Sequence, residues 1–416
     1  MQVIIKPGEL HGDIAAIPSK SDAHRLLIAA ALADGSTRIA MNGSSKDIDA
    51  TADCLCAMGA KMIPEPDGLT VYPLDRNTVF PVLDCAESGT TLRLLLPVAA
   101  AIFQNARITG RGRLPERPLK ELIGCLRANG AEFDSESLPL TLCGSLQAGE
   151  YCIPGDVSSQ YISGLLFALP LLNRESYIQL TSPLESAGYV DMTLSVLTRF
   201  GIHVQKQENG FFIPGGQRYR SPGSLRVEGD WSNAAFFLAA GALGQSVLVT
   251  GLDPSMQPDQ AICKLLSRFG AIVEQCGDEV LVIPAPLHGI DIDVSQSPDL
   301  VPILAVIGAL AQGQTRLYNA RRLRMKESDR LSSVTAMLRG LGAQVQELPD
   351  ELIFTGSRLS GGTVDCCGDH RIAMAAAIAA TVADGETTLA GAQCVEKSYP
   401  TFFEDFMTLG GNAHVF

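Results

Sequence analysis

One phrase recurs six times along this chain, and its recurrence limits the possible folds more than any single residue does. A small or capping polar residue opens a stretch that is apolar and poor in charge. It reads SKSDAHRLLIAAALA from Ser19, SGTTLRLLLPVAAA from Ser88, SSQYISGLLFALPLL from Ser158, DWSNAAFFLAAGAL from Asp230, SPDLVPILAVIGALA from Ser297 and DHRIAMAAAIAATVA from Asp369. Successive starts lie 67 to 72 residues apart. A second phrase keeps step: an amphipathic run stopped by a glycine ahead of a β-type segment, at Gly59, Gly130, Gly201, Gly270, Gly342 and Gly410. A fixed period of this length means a supersecondary unit that buries its apolar face by packing on its neighbours.

Each unit reads as helix, β segment, second helix, glycine turn, then paired β segments. In the fifth, the apolar helix ends at Gln312-Gly313-Gln314 and 315–318 is a short strand. The second helix spans 329–341, with Leu331, Val334, Met337, Leu338 and Leu341 at helical spacing, and 344–347 and 351–354 form a hairpin. The first helices are apolar nearly all round and belong inside; the second are amphipathic and belong outside. A chain of 416 residues exceeds one ordinary core. Six units divide as three plus three, and the Gly/Pro/Arg-rich stretch 214–229 marks the division. The expected N-terminal lobe is 19–225. The C-terminal lobe is 226–416 together with 1–18, whose strand at 2–5 stands outside the first unit.

Net charge −13 argues against unspecific binding to nucleic acid or anionic membrane. Eleven cysteines form no framework, and neither CxxC nor HxxxH occurs, so no metal is expected. Reduced thiols in a cytosol fit that pattern. The N-terminus, MQVIIKPGELHGD, lacks the apolar run of a signal peptide. Uncharged apolar stretches reach about a dozen residues, where a membrane span needs about 20.

Against this acidic background, cations gather with Gly, Ser and Pro in short phrases. These are Pro18–Arg25 (PSKSDAHR), Glu87–Arg93 (ESGTTLR), Leu114–Pro118 (LPERP), Ser158–Gln160 (SSQ), Met325–Arg330 (MKESDR), Gly368–Arg371 (GDHR) and Glu396–Pro400 (EKSYP). Several sit where helices begin, so unpaired N–H groups and the helix dipole add to the positive field. Arg supplies a fork for phosphate or carboxylate and Lys a point charge. One such phrase is capping plus a surface ion pair. Several at equivalent ends of repeated units point to small, multiply anionic ligands.

In this order, PSKSDAHR, ESGTTLR, LPERP, SSQ, PD before an apolar helix, KESDR, GDHRIAMA and EKSYP resemble the enolpyruvyl transferase family, in the branch that acts on shikimate 3-phosphate. The resemblance spans essentially the whole chain, and KESDR with GDHR is its most specific part. It implies an α/β fold, a two-lobed inside-out α/β barrel of six βαβαββ repeats, three per lobe. It implies transfer of the enolpyruvyl group of phosphoenolpyruvate to the 5-hydroxyl of shikimate 3-phosphate through a tetrahedral intermediate, without cofactor or metal, in a cytoplasmic, monomeric enzyme of aromatic amino-acid biosynthesis, a glyphosate target. Carried over by position, Lys20, Ser21, Arg25, Ser158, Ser159, Gln160, Ser186, Asp299 and Lys326 would hold shikimate 3-phosphate. Lys20, Gly89, Arg117, Gln160, Arg330, Arg371 and Lys397 would hold phosphoenolpyruvate. Asp299 would take the hydroxyl proton, and Glu327 would protonate and then deprotonate the methylene carbon, with Lys20 assisting. His370 is given a structural or electrostatic role. Asp299 read alone is also a helix cap.

Three places depart from the family pattern: Glu87 stands where Asn is more usual, Arg322 where some members carry Asn, and Ala187-Gly188 where Lys-Pro is frequent. Two rivals remain. A sister transferase acting on UDP-N-acetylglucosamine carries a reactive Cys in a Gly-rich loop; Gly110–Arg117 has none. A non-enzymatic ring of α/β repeats would array its cations along helix faces. A nucleotide enzyme is disfavoured because neither GxxxxGK[ST] nor GxGxxG occurs.

Overall fold

The computed structural model describes residues 1–75 and 77–416. Its contacts divide the chain into two compact units: Met1–Ser19 with Glu228–Phe416, and Lys20–Val227. Each has its own apolar core. The described residues form six four-stranded sheets, three per unit. All six follow one plan: a parallel pair, then two antiparallel neighbours. In the fifth repeat, Asp291–Asp293 lies parallel to Gln314–Tyr318, which pairs antiparallel with Leu352–Thr355, which pairs in turn with Gln344–Glu347. Helices fill the connections, giving the βαβαββ order. This is the α/β fold of six repeats.

Three sheets are completed from far along the chain. Gln2–Lys6 lies between Thr387–Ala390 and Asn412–Val415. Ser224–Arg226 runs parallel to Thr37–Ala40. A strand at 12–15 also joins Val247–Thr250, with Val249 opposite Ile14.

The two recurring phrases have separate physical causes. Side chains of Ser88, Ser158, Asp230 and Asp369 each accept a backbone N–H of the first turn of the apolar helix that follows. Those helices are buried almost throughout; every residue of His370–Thr381 is. The six stop glycines all adopt positive φ, from 75° at Gly201 to 119° at Gly270, a region that favours a residue without Cβ. Two helices differ from the sequence reading at their ends. A 3-10 turn, Pro298–Leu300, precedes Val301–Leu310, and Ser297 makes no side-chain cap bond to it. The third apolar helix stops at Ala168 and passes into a 3-10 turn with Pro170 inside it.

Close packing sets where the polar helix starts stand. Helices Gly89–Ile102 and Ser159–Ala168 cross tightly at Gly164, where a Cβ would strike the Arg93 carbonyl oxygen and stand 3.0 Å from Pro97 Cγ. That contact holds the first turn of Ser159–Ala168, with Gln160, against the second turn of Gly89–Ile102, with Arg93.

Candidate active site

In the Lys20–Val227 unit, the first turns of three apolar helices carry the anion-binding candidates. Arg25 is buried, and each of its three guanidinium nitrogens donates one bond: Nε to Thr193 Oγ1 at 2.9 Å, Nη1 to the Ser21 carbonyl at 2.6 Å and Nη2 to the Tyr189 carbonyl at 2.9 Å. Burial lowers it to about 10, against the opposing pull of Asp22 and Tyr189. Arg25 thus frames Ser21 and the start of the helix Ala187–Arg199. Ser186 occupies the N-cap position of that helix, buried and in the left-handed region at φ 54°, a conformation costly for a serine, and its side chain makes no cap bond to the first turn. Lys20 pairs with Asp47 at 2.8 Å. Ser158 caps Ser159–Ala168, its side chain accepting the Gln160 N–H at 3.3 Å, and Ser159 is buried in that first turn.

Gly89, Arg117 and Gln160 come together. A Cβ built on Gly89 would fall 2.5 Å from Arg93 Nη1 and 2.6 Å from Arg117 Nη1. Only glycine leaves room there for two guanidinium groups at one helix start. Arg93 Nη1 donates to Gln160 Oε1 at 3.3 Å and Nη2 to the Pro118 carbonyl at 3.2 Å, and Gln160 Nε2 donates to Thr90 Oγ1 at 2.8 Å. Arg93 is a residue the sequence reading quoted but left out of its site. The signal was its position, four residues after Gly89 and so one turn above it on the same helix face. Glu87, the departure from the family pattern, lies against the neighbouring loop: a Cβ on Gly112 would stand 2.7 Å from its carboxyl carbon.

In the unit formed by Met1–Ser19 and Glu228–Phe416, a second group assembles around one buried guanidinium. Arg330 donates through Nε to Asp369 at 2.9 Å, through Nη1 to Asp299 at 2.7 Å and through Nη2 to Glu327 at 2.6 Å. Lys326 reaches Asp299 at 3.4 Å, and Arg371 reaches its other carboxylate oxygen at 3.3 Å. Ser328 donates to Asp369 at 3.0 Å, and Lys397 Nζ donates to the Gly368 carbonyl at 3.0 Å. Asp299 therefore lies inside the 3-10 turn and works as an ion-pair partner; the helix cap it suggested in isolation is not what it forms. Burial would raise its carboxyl, but Arg371, Lys326 and Arg330 together hold it well below the usual carboxylate range. Burial likewise lowers Lys326 to about 8, with Asp299 opposing. His370 is buried beside Asp369. Arg322 donates to the Ser295 carbonyl at 2.8 Å.

Among the described residues no cluster of His, Cys, Asp and Glu has the arrangement of a metal site, and no helix is long and apolar enough to cross a membrane. Helix starts lined by Ser, Gly, Lys and Arg, with a Glu and an Asp held beside Lys and Arg in a repeated βαβαββ frame, are the features of an enolpyruvyl transferase. The comparisons narrow the class. The family model for EPSP synthase (3-phosphoshikimate 1-carboxyvinyltransferase) matches residues 4–406. A 3-phosphoshikimate 1-carboxyvinyltransferase of Clostridium perfringens is 42% identical over 99% of this chain and 98% of that protein, and one of Clostridium kluyveri is 42% identical over 98% and 97%. The solved EPSP synthase of Acinetobacter baumannii superposes with a TM-score of 0.83 at 26% identity, over 99% of each chain. The chain belongs to the EPSP synthase family.

Proposed function

We propose that the chain transfers the enolpyruvyl group of phosphoenolpyruvate to the 5-hydroxyl of shikimate 3-phosphate and releases phosphate, as its family does. The observation that carries this reading is the Arg330 cluster. It holds one carboxylate, Asp299, deprotonated beside Lys326, and a second, Glu327, on the same guanidinium. Two carboxylates fixed separately suit a reaction that moves a proton at oxygen and another at carbon.

In this reading, Lys20, Ser21, Arg25, Ser158, Ser159, Gln160 and Ser186 hold shikimate 3-phosphate, with Asp299 and Lys326 at its 5-hydroxyl. Lys20, Gly89, Arg117, Gln160, Arg330, Arg371 and Lys397 hold the phosphate and carboxylate of phosphoenolpyruvate. The 5-oxygen attacks C2 of phosphoenolpyruvate while its proton passes to Asp299. A carboxylate held so low is a weak base, so this transfer accompanies C–O bond formation. Glu327 enters the cycle as the carboxylic acid and gives its proton to C3, and the carboxylate this leaves stabilises the positive charge that develops at C2. Collapse of the tetrahedral intermediate breaks the C2–O bond to phosphate, and Glu327 takes a proton back from the methyl carbon. Lys20 supports the departing phosphate. The enzyme works on small-molecule substrates, in the cytoplasm, as a monomer.

The test is phosphate release from phosphoenolpyruvate with shikimate 3-phosphate or UDP-N-acetylglucosamine offered separately. Release with shikimate 3-phosphate alone, and recovery of its enolpyruvyl ether, is the expected result. Release with the nucleotide sugar alone reassigns the acceptor, and release with neither refutes the proposal.

A further inference from the structure

The chain passes between its two units twice, from Ser19 into Lys20 and from Val227 into Glu228. The residues leading into the two passages are bonded to each other. Pro18 faces Gly229 in an antiparallel bridge, the Ser19 N–H donates to the Glu228 carbonyl at 2.7 Å, and the Asp230 N–H donates to the Ile17 carbonyl at 2.8 Å.

One side chain from outside the pair grips both. Gln257 is buried, just ahead of the 3-10 turn Pro258–Gln260. Its Oε1 accepts the Ser19 hydroxyl at 3.1 Å and the Trp231 backbone N–H at 3.2 Å. Its Nε2 donates to the Gly229 carbonyl at 2.8 Å and to the Glu228 carboxylate at 3.1 Å. The Gln257 backbone N–H donates to Ser255 Oγ at 3.0 Å, and the Ser255 hydroxyl donates to that same carboxylate. A side-chain amide accepts through two lone pairs and donates through two N–H groups, and here all four are used. The orientation of the amide is forced. Turned over, it would set oxygen against the Gly229 carbonyl and N–H against the Trp231 N–H. A buried network with every member satisfied is rigid, and taking one member out leaves buried partners unbonded.

The consequence falls on Lys20. It follows Ser19 directly, and its ammonium is paired with Asp47 at 2.8 Å. Lysine carries its charge on a long flexible stem, so an anchor at the ammonium defines its position only when the main chain behind it is also fixed. We infer that Gln257 is a positioning residue for Lys20: by holding the Ser19 hydroxyl against the second passage, it sets where the Lys20 ammonium meets substrate phosphate. This rests on the function proposed above, in which Lys20 holds shikimate 3-phosphate. The sequence reading gave Gln257 no role.

The test is a double-mutant cycle read by calorimetric titration with shikimate 3-phosphate, which needs no turnover. Ser19→Ala removes only the hydroxyl that Gln257 holds, and Gln257→Leu removes the whole grip. Each is made in the native background and together with Lys20→Met, which deletes the ammonium and leaves the other proposed contacts in place. Circular dichroism and the emission of Trp231, the one tryptophan of the sequence, check that each protein is folded. With Lys20 present, both variants are expected to weaken binding by roughly threefold or more, the size of coupling found between interacting residues. With Lys20→Met in place, neither should weaken it further. A merely structural role lowers affinity equally in both backgrounds, because independent effects add, and that result overturns the inference. Unchanged affinity in Ser19→Ala overturns it too. If Gln257→Leu does not fold, Ser19→Ala and Lys20→Met still complete a cycle and decide the matter. A wild type that neither binds shikimate 3-phosphate nor releases phosphate in its presence overturns the functional reading, and this inference with it.

Discussion

Arg330 Nε donates to Asp369 at 2.9 Å, and both side chains are buried. Asp369 also caps His370–Thr381 by accepting the Arg371 N–H at 3.0 Å. One carboxylate therefore ties the guanidinium at the centre of the charged cluster to the helix start that presents Arg371. Removing one partner of a buried pair leaves a charge without compensation, at a cost of about 3–5 kcal/mol. Asp369→Ala should lower the melting temperature by many degrees, and Asp369→Asn by less because the cap survives. Thermal unfolding followed by circular dichroism measures both; equal stability of the three proteins would contradict the buried linkage.

Glu327→Gln keeps size and polarity but cannot exchange a proton with carbon. Its kcat should fall by about 10²–10⁴, with a much smaller effect on binding of either substrate. Pre-steady-state turnover together with calorimetric titration separates the two. A parallel loss of affinity would assign Glu327 to holding Arg330.

Lys326 titrates near 8, lowered chiefly by burial. Its ammonium is charged below that value and lost above it, so kcat/KM should decline as pH rises through about 8. The sign for stability is the reverse. The folded state binds this proton less tightly than the unfolded chain, so the Lys326 contribution to stability rises from about pH 8 toward the ordinary lysine value near 10.4. Lys326→Arg, whose charge persists, should move the alkaline limb of activity upward. An unmoved limb would mean that another group sets it.

Gly89→Ala puts a methyl where two guanidinium groups now stand, at 2.5 and 2.6 Å. Arg93 and Arg117 must retreat, so the KM for phosphoenolpyruvate should rise at least tenfold while affinity for shikimate 3-phosphate changes less. Gly164→Ala tests packing instead. Its methyl meets the Arg93 carbonyl, a backbone atom, and overpacking of this kind costs about 1–3 kcal/mol. Chemical denaturation should show that loss as a lower midpoint with an unchanged slope.

The parts of the fold legible in the sequence are those that local chemistry dictates. Ser88, Ser158, Asp230 and Asp369 cap helices because a short side-chain oxygen reaches an N–H two or three residues on. The six stop glycines were visible because positive φ is written into one residue type. Interactions between distant segments were not visible. Nothing near Asp47 announces Lys20, nor does Thr51 announce His24 or Thr91, since those partners are chosen by packing. The 3-10 turn at Pro298–Leu300 escaped for a related reason. PDLVP has the composition of a helix start, but the ion pairs of Asp299 depend on Lys326, Arg330 and Arg371, all 27 or more residues away. The family resemblance supplied the candidate site residues, while Arg93 and Gln257 emerge only from the three-dimensional arrangement.

The placement of Gln2–Lys6 between Thr387–Ala390 and Asn412–Val415 bears on synthesis of the chain. This segment leaves the ribosome long before either of its neighbours. The Lys20–Val227 unit has every strand of its three sheets once Arg226 has emerged, so it can close while translation continues. The other unit cannot. Val3 and Ile5, fully buried in the finished molecule, travel with a nascent chain that has nowhere to put them until nearly four hundred further residues have been added. Throughout that interval the segment is an unpaired edge, open to pairing with other chains, and cover by a chaperone would matter most there.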